Sequence, residues 1–193
     1  MTTWFTSDHH FGHRNIIDYC DRPFDSVEEM TEVMIERWNS RVGTGDIVYY
    51  GGDFSMGARR GVDLGVILER LNGVKVLMPG NHDECFKMRK KWEKWAGVYI
   101  LSGFDSIIES FWADIELQGV PFRLSHFPYG EEDSSEVARF VECRPPDDGG
   151  WLICGHIHEK WKIKDRMINM GVDVWDFYPV SEEEILEVVR SHS

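Results

Sequence analysis

Thr3-Trp4-Phe5-Thr6-Ser7-Asp8-His9-His10-Phe11-Gly12-His13 is the stretch on which the fold turns. Thr3-Trp4-Phe5-Thr6 is a short apolar run that reads as a buried strand. An aspartate and three histidines follow at once, and Gly12 lets the chain turn away. Asp8 and His10 are metal-capable, but two residues cannot close a four- to six-coordinate shell. The remaining ligands would have to arrive from other parts of the chain.

Four later stretches repeat the grammar of a short apolar strand and then a turn with metal-capable residues. Ile47-Val48-Tyr49-Tyr50 leads into Gly51-Gly52-Asp53, and Val74 to Met78 leads into Pro79-Gly80-Asn81-His82-Asp83. Val120 to Leu124 leads into Ser125-His126, and Trp151 to Cys154 leads into Gly155-His156-Ile157-His158. On an extended strand, residues i and i+2 share a face. Asp8 with His10, and His156 with His158, are therefore expected to aim side chains the same way. Each stretch alone has an ordinary reading. A histidine after a strand is usually a hydrogen-bonded core or surface group, and Gly-Asp is usually a turn. The five in this order point to a metal site.

The intervening segments alternate with these strands. Asn15 to Cys20 reads as a short helix ended by Arg22-Pro23. Ser26 caps an amphipathic helix with Glu29 at the capping-box position, its stripe being Val27, Met30, Val33, Met34 and Trp38. Further helices are expected from Val62 to Leu71 and from Glu84 to Trp95. Beyond Val98 the texture changes to short strands, at Tyr99–Leu101, Ser106–Ile108, Ala113–Leu117 and Val120–Leu124, with a hairpin turn at Gln118-Gly119. Tyr129 to Gly150 reads as a long loop with a short helix near Val137, suited to a lid or a homodimer contact. Strands follow at Trp161–Ile163 and Met167–Val172, and Ser181 caps a last helix from Glu182 to Arg190. No linker interrupts the pattern, so residues 1–193 are expected to form one α/β domain.

Composition bounds the function. The chain of 193 residues is 42% hydrophobic and 13% aromatic, which suits a globular core. A net charge of −13 argues against stable nucleic-acid binding. It does not bar a small phosphorylated substrate, because bound cations dominate the local field. Cys20, Cys85, Cys143 and Cys154 lie far apart and read as free thiols. Cys154 is expected in the core. The N-terminus carries no export signal, and no apolar run spans a bilayer, so a cytoplasmic protein is expected.

The combination Asp8-x-His10, Gly52-Asp53, Gly80-Asn81-His82-Asp83, His126 and Gly155-His156-x-His158 resembles the calcineurin-like metallophosphoesterases, over nearly the whole chain. The wording of Ser7 to His13 with Asn15-Ile16-Ile17, and of Asn169 to Trp175, resembles the small bacterial and phage phosphohydrolases of that family. The resemblance implies a two-sheet sandwich flanked by helices, in four layers. It implies that Asp8, His10 and His158 hold one metal, that Asn81, His126 and His156 hold a second, and that Asp53 bridges them. It further implies that His82 contacts phosphate and protonates the leaving oxygen, and that Asp83 orients His82. Two divalent cations about 3.5–4 Å apart can clamp a phosphate between them. Nitrogen and oxygen donors suit Mn, Fe, Co, Ni or Zn and suit calcium poorly.

His13 and Arg14 follow the metal turn and are candidates for substrate phosphate. His9 falls where the family pattern is free, and a role other than ligation is expected. The favoured reading is a phosphodiesterase acting on small nucleotide-like diesters such as 2′,3′-cyclic nucleotides. A phosphomonoesterase or protein phosphatase is the alternative within the same chemistry. A non-catalytic metal-binding scaffold, and a protein with purely structural metals, are the alternatives outside it. Nothing in the ligand pattern is substituted, which favours an enzyme.

Overall fold

The computed structural model describes residues 1–56, 63–130 and 140–192. Two mixed five-stranded sheets form a sandwich flanked by helices. In the first sheet β1 (Thr3–Thr6), β2 (Ile47–Tyr50), β3 (Val74–Leu77) and β4 (Ser106–Ile107) run parallel, and β10 (Val180–Ser181) is antiparallel on β1. The second sheet has the order β5-β6-β7-β9-β8. It contains β5 (Trp112–Leu117), β6 (Val120–Ser125), β7 (Trp151–Cys154), β8 (Ile163–Lys164) and β9 (Met167–Asn169), with β6, β7 and β9 parallel.

Strand alternation sorts the apolar residues into layers. Val48 and Tyr50 face the helices, whereas Phe5 faces the second sheet together with Met78, Leu124, Ile153 and Ile168. The helical layer holds α1 (Asn15–Tyr19), α2 (Val27–Arg41), α3 (Leu64–Leu68) and α4 (Trp92–Ser102). Helix α2 buries Met30, Met34, Ile35 and Trp38, and the Ser26 hydroxyl accepts from Glu29 N at 3.1 Å. The Glu29 carboxylate accepts from Asp25 N rather than closing the box on Ser26. At the last helix, α5 (Glu182–Ser191), the box with Ser181 is complete: Glu184 N donates to Ser181 Oγ and Ser181 N to Glu184 Oε2. Such a cap stabilises a helix by about 1 kcal/mol. The hairpin turn falls at Gln118-Gly119, both with φ above +45° (+49° and +85°), so its twist matches that of β5 and β6.

Two expectations are corrected. Tyr99–Leu101 is not a strand but the last turns of α4, because a short apolar run fits either period. Tyr99 is buried against Phe104, while Leu101 is exposed. The helix expected from Glu84 begins only at Trp92; residues 84–91 form turns, with Lys91 left-handed at φ +67°. Helix α3 covers Leu64–Leu68, capped by Asp63, which accepts from Gly65 N and Val66 N. Its expected start at Val62, and the helix expected near Val137, lie outside the described residues; a single 3-10 turn covers Val141–Cys143. None of the four cysteines is in a disulfide, and Cys154 is buried in a cluster on the outer face of the second sheet. Among the described residues no helix is long and apolar enough to cross a membrane.

Candidate metal centre

Parallel strands bring their carboxyl ends to one edge, and the polar turns collect there. Asp8 follows β1, Asp53 follows β2, and Asn81, His82 and Asp83 follow β3. In the second sheet His126 follows β6, and His156 and His158 follow β7. The two edges are joined at Asp8, whose carboxylate accepts from His156 N at 3.2 and 3.0 Å.

The turns reach this arrangement through strained backbone. Asp8, His10, Asp53, His156 and His158 all have positive φ, between +51° and +73°. Left-handed backbone is uncommon outside glycine and clusters at functional sites. Asp8 and His10 do come together, but not as neighbours on one face of an extended strand. Glycine is required beside them. A Cβ on Gly80 would overlap Asp53 Oδ1 and crowd the His126 ring, and one on Gly52 would overlap the Gly80 backbone.

Two groups of donor atoms result. Asp8, His10 and His158 place one ligand-capable atom each within 4.8 Å of the others, and so do Asp53, His126 and His156. Asp53 Oδ2 links the groups, 3.6 Å from His10 Nε2 and 3.5 Å from His126 Nε2. Asn81 Oδ1 lies 3.1 Å from His126 Nε2. Asp53 and His10 are buried, yet Asp53 Oδ2 and both His10 ring nitrogens have no hydrogen-bond partner. An unsatisfied buried polar atom costs about 1–3 kcal/mol. Asp53 Oδ2 and His10 Nε2, both unsatisfied and 3.6 Å apart in an all nitrogen and oxygen set, fit a divalent cation.

Burial sets the electrostatics. It pushes the Asp8 and Asp53 carboxyls up and the His10, His126 and His156 imidazoles down. Neutral imidazole is the form that ligates a metal. His158 differs. Burial also works against its charge, but Asp173, 3.4 Å from Nδ1, holds it well above the ordinary histidine value.

The neighbouring residues divide. His82 and His13 line a cavity of about 330 Å³ together with His10, Asp53, His156 and His158. The His82 ring stands edge-on to His10 at 5.3 Å, and its backbone N–H donates to Asp53 Oδ1 at 2.8 Å. Asp83 is fully buried and its carboxylate is engaged by four donors, Asp53 N, Gly80 N, Phe54 N and Tyr99 Oη. Those bonds brace the Asp53 and Gly80 turns against each other. Arg14 lies outside the cavity lining and pairs with Asp18 at 3.3 Å. His9 turns into the core, stacked on Phe11 with Nδ1 2.8 Å from Tyr50 Oη.

Arg22 and Asp173 were not singled out in the sequence. The Arg22 guanidinium is paired with both oxygens of Asp173 at 2.7 and 2.9 Å, and it donates to the carbonyls of Asp8 and His9 at 2.7 and 2.8 Å. One cation thus ties the β1 turn to the partner of His158. Outer partners that orient a ligating histidine change metal affinity by about 10–100-fold. Asp173→Asn is therefore expected to weaken metal binding by about that factor. Titration with a divalent cation, alongside a melting curve to check folding, measures it; unchanged affinity in a folded variant would remove Asp173 from the site.

A family model for calcineurin-like phosphoesterases matches residues 1–160. The gene 66 protein of Mycobacterium phage L5 is 36% identical over 199 residues, spanning 97% of this chain and 94% of that protein. An uncharacterised protein of Methanocaldococcus jannaschii is 34% identical over 194 residues, spanning 97% and 90%. The crystal structure of a protein of unknown function from Aquifex aeolicus superposes with a TM-score of 0.69 at 27% identity, over 97% of this chain and 98% of that one. With strand-end turns that gather an aspartate- and histidine-lined cleft, and a family match over most of its length, the chain belongs to the calcineurin-like phosphoesterase family.

Proposed function

We propose that the chain is a dinuclear metal-dependent phosphodiesterase acting on small nucleotide-like diesters such as 2′,3′-cyclic nucleotides, as one cytoplasmic domain of residues 1–193. The family match carries the coarser statement, that of a phosphoric ester hydrolase. The observation that carries the dinuclear reading is Asp53 Oδ2, buried without a hydrogen bond and about equally far from His10 and His126. Asp8, His10 and His158 would hold one cation, Asn81, His126 and His156 the other, and Asp53 both. When bound, two cations polarise the phosphoryl group and acidify a water. Transition-metal ions such as Mn, Fe, Ni or Zn suit the donor set.

The chain's own residues supply the rest. The Asp53 carboxylate is fixed by His82 N–H, so its second oxygen stays aimed between the two groups. Asp83 holds the Asp53 and Gly80 turns through backbone N–H groups, which keeps the donors in place without side-chain adjustment. The His82 imidazole, at the cavity wall, would donate its proton to the departing oxygen. The cavity suits a substrate of nucleotide size, since small-molecule sites run about 300–1,000 Å³. The acidic surface charge favours a small anion over a long one.

The test is hydrolysis of bis-p-nitrophenyl phosphate beside p-nitrophenyl phosphate. The protein is stripped of metal and then given Mn, Ni, Zn or Mg in turn. Metal-dependent turnover with the diester ahead is expected. The monoester ahead would move the reading to a phosphatase, and no turnover with metal bound would favour a scaffold.

A further inference from the structure

The cavity at the candidate metal centre has two unlike walls. One carries the imidazoles and Asp53. The other is mixed: Ile16 and Ile157, both buried, lie with Tyr19 and Cys20 from the end of α1 and with the charged Glu159 and Lys160. Tyr19 is 70% exposed although its ring lines this cavity. It meets His13 edge-on at 6.2 Å, and His13 in turn meets His10 at 5.8 Å. Through His13, the rings run from the candidate metal centre to the exposed Tyr19. The Asn15 side-chain amide lies 3.5 Å from Tyr19 Oη, one turn earlier on α1. A tyrosine offers a large flat face with little rotamer entropy to lose on binding. Aromatic side chains hold nucleobases by stacking, with little regard to base identity.

We propose that Tyr19, which shares this cavity lining with Ile16 and Ile157, is the platform for the nucleobase of the substrate, and that it makes this site selective for base-bearing phosphates. The inference rests on the reading of the cavity as a phosphoesterase site and names what fills its Tyr19 side. A single mononucleotide occupies both walls: phosphate on the imidazole side, base against Tyr19.

The test measures binding. AMP and ribose 5-phosphate are titrated calorimetrically into the wild-type protein, Tyr19→Phe and Tyr19→Ala, each loaded with manganese and again without it. The wild type is expected to bind AMP about tenfold more tightly than ribose 5-phosphate, the order of one base stack. Tyr19→Phe keeps that preference, and in Tyr19→Ala the two ligands become equal. Equal binding by the wild type, no binding of either, or a preference that survives in Tyr19→Ala would overturn the platform. The two readings fail separately: a protein that prefers AMP through Tyr19 but hydrolyses no ester loses the enzyme assignment and keeps the base site.

Discussion

Asp53→Ala is expected to lose bound metal and turnover together. Asp53 Oδ2 is the atom that both donor groups share, 3.6 Å from His10 Nε2 and 3.5 Å from His126 Nε2. Removing it takes away the one negative charge the two groups share, so the loss should exceed the roughly 100-fold upper end for an outer-shell partner. The metal-free protein should tolerate the change. Asp53 is fully buried, its Oδ2 has no hydrogen-bond partner, and burial pushes its carboxyl up, so it carries a desolvation cost that alanine removes. Against this stands one lost bond, from His82 N to Asp53 Oδ1. Metal content by elemental analysis, turnover, and a melting curve in chelator separate the two effects. A variant that keeps two cations and full turnover would sink the bridging assignment. One that melts far below wild type in chelator would make Asp53 a structural residue first.

Much of the centre was legible because each ligand candidate sits directly after a short apolar strand. Strand ends in parallel sheets share an edge, so order along the chain becomes proximity in space. What failed was local geometry. The pairing of Asp8 with His10 was expected from strand alternation, yet it comes from left-handed backbone at both residues. The apolar run Tyr99–Leu101 was ambiguous between periods, and the helix won by burying Tyr99 against Phe104. Arg22 and Asp173 were invisible for another reason. They are 151 residues apart, and a buried ion pair has no periodicity to betray it. The resemblance pairs Asp83 with His82; what the sequence did not show is that its carboxylate also accepts from the Gly80 and Asp53 backbone N–H groups. Tyr19 carried no motif at all; only its position at the mouth of the cavity marks it.

His82→Ala should keep its metal and lose rate, most severely for substrates with poor leaving groups. The side chain can go without unbinding the centre, because the contact His82 makes to Asp53 is through its backbone N–H, which alanine retains. The ring itself lines the cavity and stands 5.3 Å from the His10 ring, at the edge of the donor cluster and not within either group of three. A positioned general acid contributes about 100- to 10,000-fold. That contribution depends on how much the departing oxygen needs a proton. A p-nitrophenolate leaves nearly unaided, so the variant should be only modestly slow on p-nitrophenyl esters. An alkoxide, such as the ribose oxygen of a 2′,3′-cyclic nucleotide, needs the proton, and the full loss should appear there. The comparison is therefore a series of esters of graded leaving-group acidity, with metal content checked in each preparation. A slope that steepens in the variant assigns the proton to His82. Equal slowing along the series would mean that His82 binds phosphate and does not donate, and loss of metal would place it among the ligands.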